Sequence, residues 1–145
     1  MTLTRRQFLM TSVATVAAAQ ITAPAFAADP ILIGVPTAQS GPVGVADQAD
    51  WLNGVTMAVE EINAAGGVNG RPLETRVADI DLLTPEGTVA AFQSLVEGGV
   101  QALAHSFAII PQPAMDVAAS NGVPYLHGNT SQASLDLVKS DPQKY

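Results

Sequence analysis

Four short apolar runs alternate with longer stretches of helical period, and this alternation constrains the fold more than any other feature of the chain. Ile31 to Pro36 is nearly continuous in apolar residues, as a strand covered on both faces requires. Residues 72–80 read as a less regular strand, with Leu73, Val77 and Ile80 at its apolar positions. Residues 100–105 and 123–127 complete the set, Pro124 standing near a strand start, where a missing N–H does least harm. Between the strands lie helices. From about Asp50, the residues Trp51, Val55, Ala58, Val59 and Ile62 make one apolar stripe, which Gly66-Gly67 ends. Thr84-Pro85-Glu86 opens a second helix with a hydroxyl cap, a proline at the first position and an acid in the first turn. A third helix spans 112–120, and Asn129-Thr130-Ser131 can cap a short fourth that runs through Val138.

This order predicts an α/β fold: a doubly wound, mostly parallel sheet with helices on both faces. Parallel strands put every loop that follows a strand on the same edge, here 37–46, 81–84, 106–111 and 128–131. Open α/β sheets bind ligands outside that carboxyl edge.

The first 27 residues stand apart from the fold. Arg5-Arg6 leads into Phe8-Leu9, an uncharged run follows, and Ala25-Phe26-Ala27 is a small-x-small cleavage site. A basic start, an apolar middle and a small-residue end make a secretory signal, and the paired arginines point to the Tat route, with cleavage after Ala27. Thr11, Ser12, Gln20, Thr22 and Pro24 dilute the run below what a spanning helix of about 20 apolar residues needs. A periplasmic, soluble product of residues 28–145 is expected.

In that product Arg71, Arg76, Lys139 and Lys144 face all 13 acids, so nucleic acid and anionic membrane are excluded as partners for want of a basic patch. With no cysteine there is no disulfide framework, thiolate zinc site or iron–sulfur cluster, and no cofactor is implied.

Several residues at the carboxyl edge admit two readings. His105 and His127 end neighbouring strands and could form a metal or anion pair; the chain has no third His or Cys to join them, and a strand-end histidine readily bonds a loop instead. Asp79 and Asp81 share a face and could do acid/base work, or be loop acids with one orienting the Thr84 turn. Asn129, Thr130 and Ser131 are a helix cap or a binding loop. Ser40-Gly41-Pro42 is a turn or a contact through Ser40. Trp51 is core or a stacking platform. No G-x-S-x-G, P-loop or G-x-G-x-x-G gives nucleophilic or dinucleotide chemistry a seat after residue 27.

Five segments carry a likeness in the right order: Ser40-Gly41-Pro42, AVEEINAAGGVNGRPLE at 58–74, ADIDLLTPEGTVAAF at 78–92, SLVEGGVQAL at 94–103 and GVPYLHGNTSQASL at 122–135. Together they resemble the leucine/isoleucine/valine-binding-protein family, the type I periplasmic receptors of branched-chain amino acid ABC importers. The resemblance implies two α/β lobes that close on a small polar solute, the first holding its carboxylate through hydroxyls and backbone N–H groups. It implies a small-molecule solute and an inner-membrane ABC permease as partners. It places contacts at Asn129, Thr130 and Ser131, around residues 44–46, and at Ala108, with Ser106 in the same loop.

Two departures stand out. Ala108 replaces an expected serine, and Val45-Ala46 stands where an aromatic residue often packs on the solute, with Trp51 close by. An amide, urea-like or aromatic acid solute therefore stands beside a branched-chain amino acid. Residues 139–145 stop where the family begins its next strand, so the expectation is most of a first lobe, truncated, with weak affinity alone and an open edge at the fourth strand. The competing readings are a ligand-sensing receptor lobe, a fragment without function, and a Tat-exported enzyme.

Overall fold

A computed structural model describes residues 28–128 and 131–145; the signal-like segment 1–27, Asn129 and Thr130 lie outside the described residues. Four strands alternate with four helices: β1 (Ile31–Thr37), α1 (Val45–Ala64), β2 (Leu73–Asp79), α2 (Pro85–Glu97), β3 (Ala102–His105), α3 (Pro111–Ser120), β4 (Tyr125–His127) and α4 (Gln132–Ser140). The sheet order is β2-β1-β3-β4, and all three pairings are parallel. The α/β fold with a parallel sheet is as expected.

Topology decides which face each helix covers. β2 and β3 flank β1 on opposite sides, so right-handed crossovers put α1 on one face and α2 with α3 on the other. Packing agrees: α2 lies against α3, whereas α1 contacts chiefly β1 and β2. The apolar core is on the α2–α3 face. It gathers Ala91, Phe92 and Leu95 of α2, Ala114, Val117 and Ala118 of α3, and Ile80, Val100 and Leu103 from in and around the strands. Phe92 is fully buried and meets the rings of His105 and Tyr125 edge-on, at centroid distances of 5.7 and 5.2 Å. Gly34 allows this closeness in the sheet, because a Cβ there would lie 2.8 Å from Leu103 Cδ2.

Local chemistry sets the element ends. Thr84 caps α2, its Oγ1 accepting from Gly87 N–H at 3.1 Å, with Pro85 following as read from the sequence. Asn63 joins α1 to β2: its Oδ1 accepts from Leu73 N–H at 2.8 Å and its Nδ2 donates to Leu73 O at 2.9 Å. One boundary differs. α1 begins at Val45 rather than near Asp50, so the first loop is shorter than 37–46. Residues 45–50 carry no apolar stripe, and their helical turn is held instead by Gly44, which sits at φ 80° as the N-cap, and by the Gln48 N–H bond to Gly44 O at 2.9 Å.

β4 is an edge strand, as expected, and Leu126 on it is 71% exposed. In register with Ala104 of β3, it lies on the face that α1 leaves bare. An exposed apolar edge is a template for other chains. The isolated chain is expected to self-associate, and Leu126→Lys to shift it toward monomer in sedimentation velocity. Identical distributions for both proteins would refute this.

Candidate functional site

All four strands point their carboxyl ends at one rim, formed by residues 38–44, 80–84 and 106–110 with Gly128 and Ser131. What holds this rim is a buried polar network that the sequence did not announce. Gln48 and His105 are both fully buried. Gln48 Nε2 donates to Phe107 O at 3.1 Å, and Gln48 Oε1 accepts from Ala38 N–H at 3.4 Å. His105 Nε2 lies 3.2 Å from Gln48 Oε1, and His105 Nδ1 lies 3.1 Å from Tyr125 Oη.

Two proton arrangements satisfy the network. Nε2–H of His105 donates to Gln48 Oε1 while Nδ1 accepts from the Tyr125 hydroxyl, or Nε2 accepts from Gln48 Nε2, 3.2 Å away, while Nδ1–H donates to Tyr125 Oη. The imidazole is neutral in both. Burial, reinforced by the charge of His127, pushes His105 down from 6.5 to about 4, and burial pushes the Tyr125 hydroxyl upward. The network thus ties the loop after β1, the first turn of α1, the loop after β3 and strand β4 into one unit. Buried polar groups of this kind rigidify when fully paired.

The histidines therefore divide. Both nitrogens of His105 are engaged by protein side chains, not by the loop carbonyl read from the sequence, and neither is left for a metal. His127 stacks on Tyr125, ring centroids 4.7 Å apart. The two aspartates hold loops. Asp79 accepts from Gln39 N–H at 2.8 Å, from Ser40 N–H at 3.2 Å and from the Ser40 hydroxyl. The hydroxyl and then these N–H groups hold its carboxyl below the usual carboxylate range. Asp81 accepts from Leu83 N–H and Thr84 Oγ1, each at 2.9 Å, and orients the α2 cap as one reading of the sequence had it.

The expected contacts fare unequally. Ser40 reaches the rim, but its hydroxyl is donated to Asp79. Ala108 is buried among the core residues, so its methyl adds no polar group to the rim. Ser131 caps α4, its Oγ accepting from Ser134 N–H at 3.2 Å. Asn129 and Thr130 lie outside the described residues. Ser106 is half-buried, and its Oγ has neither water access nor a hydrogen-bond partner. The same holds for Trp51 Nε1. Gly128 lies between them: a Cβ there would stand 2.8 Å from Ser106 O and 3.9 Å from Trp51 Cζ3. Trp51, Ser106 and the segment leading to residue 129 thus converge.

A cleft of about 530 Å³ lies elsewhere, between α3, β4 and the segment around Lys144 and Tyr145. It flanks the open edge of the sheet, away from the loops after β1 and β2, so the rim remains the candidate site.

Comparison with known proteins points the same way. Residues 30–143 match the family described as periplasmic binding protein. The leucine-, isoleucine-, valine-, threonine- and alanine-binding protein of Pseudomonas aeruginosa is 39% identical over 99 residues, covering 67% of this chain and 26% of its own length. The Leu/Ile/Val-binding protein of Escherichia coli K12 is 32% identical over 97 residues, covering 66% and 26%. The chain thus spans about a quarter of these relatives. A solved structure from Silicibacter pomeroyi, assigned to a branched-chain amino acid ABC transporter, superposes with a TM-score of 0.76 at 36% identity, covering 81% of this chain and 30% of that one. The substrate-binding protein LivJ of Streptococcus pneumoniae, solved with isoleucine, gives 0.63 at 29% identity, covering 73% and 30%. Sheet order, rim and sequence match agree: the chain belongs to the periplasmic binding protein family.

Proposed function

We propose that this chain supplies the solute-holding rim of a substrate-binding component of an ABC importer. It is exported to the periplasm, captures an amino acid or amide-like solute and presents it to an inner-membrane permease. The observation that carries this reading is the rim itself: four loops at one carboxyl edge, locked by the Gln48–His105–Tyr125 network, in a chain of this family. Relatives named for leucine, isoleucine and valine support the amino acid class. The burial of Ala108 supports a solute held by fewer hydroxyls than a serine-rich loop would offer. Residues 1–27 act as the export signal, cleaved after Ala27, and residues 28–145 as part of a ligand-binding lobe. The similar proteins are named as binding proteins, which supports a binding rather than a catalytic role.

Titration of the isotope-labelled chain with leucine, valine and their amides tests the reading by amide NMR. Shifts confined to residues 106–108, 128 and 131 are expected. A spectrum unmoved by all of them at millimolar solute would overturn it. Replacing Arg5 and Arg6 by lysine is expected to leave the precursor in the cytoplasm; unchanged export would overturn the Tat assignment.

A further inference from the structure

Three successive N–H groups at the start of the loop after β1 are taken by side chains. Ala38 N–H donates to Gln48 Oε1 at 3.4 Å, and Gln39 and Ser40 N–H donate to Asp79 Oδ1 at 2.8 and 3.2 Å. The Ser40 hydroxyl donates to Asp79 Oδ2, so both oxygens of the carboxylate are engaged. The β1–β2 ladder ends where Thr37 stands opposite Asp79. Beyond that point no strand holds residues 39 and 40, and the carboxylate does. The far end of the loop is seated separately: Gly44 lies so close to Leu82 that a Cβ would stand 2.6 Å from its Cδ1.

The hold then passes across the rim. Gln48, which takes Ala38 N–H through Oε1, donates through Nε2 to Phe107 O in the loop after β3. A run of bonds thus leads from the tip of β2 through residues 38–40 and Gln48 to Phe107. Its outer end is exposed: Asp79 buries no part of the core, so its bonds shape the rim more than they stabilise the fold.

We propose that Asp79 is a positioning residue for solute binding. It fixes the loop after β1 and, through Gln48, the loop after β3 in the arrangement that receives the solute. This rests on the reading of the rim as a solute site, and Asp79 acts in it without touching the solute.

Asp79→Ala and Asp79→Asn are compared with wild type in the isotope-labelled chain. The probe is whichever of leucine, valine and their amides shifts the wild-type amides most. In the unliganded Asp79→Ala chain the amides of Gln39, Ser40 and Phe107 are expected to move. Its affinity for the probe should fall about three- to tenfold, while its melting temperature stays near wild type. Asp79→Asn keeps an oxygen for the two N–H groups and gains a donor for Ser40 Oγ, so it should bind within about twofold of wild type. That rescue is what a role limited to folding would not produce.

Unchanged affinity in Asp79→Ala would overturn the inference and leave the solute reading standing. So would affinity and melting temperature that fall together in both variants. A weaker affinity with the Phe107 amide unmoved would overturn the route through Gln48. A wild-type spectrum that responds to none of the probes would overturn both readings.

Discussion

Phe92→Ala is expected to lose about 3–5 kcal/mol of folding free energy, the usual range for emptying a buried phenylalanine site. Phe92 is fully buried, and its ring contacts both His105 and Tyr125. Its removal would take away the largest of the apolar side chains that α2 buries, beside Ala91 and Leu95, and leave a void beside a polar network. Small domains have only about 5–15 kcal/mol in total, so the variant should sit near its unfolding midpoint in dilute buffer. Urea titration followed by far-ultraviolet circular dichroism measures this. A loss below about 1 kcal/mol would mean that α2 does not seat on the sheet as described.

Acid should destabilise the chain through His105, in a window set by its own shift. The unfolded imidazole titrates near 6.5 and the folded one near 4. Above 6.5 both states are neutral and the stability is fully present. As the pH falls the unfolded state takes up the proton first, so stability is lost progressively until the folded group titrates too. At about 1.4 kcal/mol per unit, the loss is on the order of 3 kcal/mol. The carboxyls of Asp79 and Asp116 are lowered from 3.8, so the loss of any contribution from them is centred below this window. His105→Gln removes the titration while keeping a donor and an acceptor for its neighbours. Its stability should be nearly flat between pH 6.5 and 4, whereas wild type falls. Parallel curves for the two proteins would show that some other group senses the acid.

The fold was legible because its signals are local. Apolar runs of strand length, the Thr84-Pro85 start and the Gly66-Gly67 stop each act within a few residues. The rim's support was not legible, since it depends on side chains 57 residues apart, Gln48 and His105. A glutamine in a run of small and acidic residues has the signature of a solvated turn, and only the fold shows that it is interior. The same lack of an apolar stripe hid the first turn of α1. Of the expected contacts, Ser131 and Ser40 end up next to their strand ends, where Ser131 Oγ accepts from Ser134 N–H and Ser40 donates to Asp79. Trp51 drew notice as an aromatic ring; that its indole nitrogen is buried without a partner is visible only in the fold.

The first strand of the chain is the middle of the sheet. β1 pairs with β2 on one side and, through Ile33 and Ala102, with β3 on the other. Such a topology has high contact order, and loop closure must precede any reward from pairing. The nascent chain therefore cannot commit to its sheet early: until β3 has been made, β1 keeps one side unpaired. Folding should be slow for the chain's size, and the interval before β3 arrives is when its apolar strand most needs shielding from other chains.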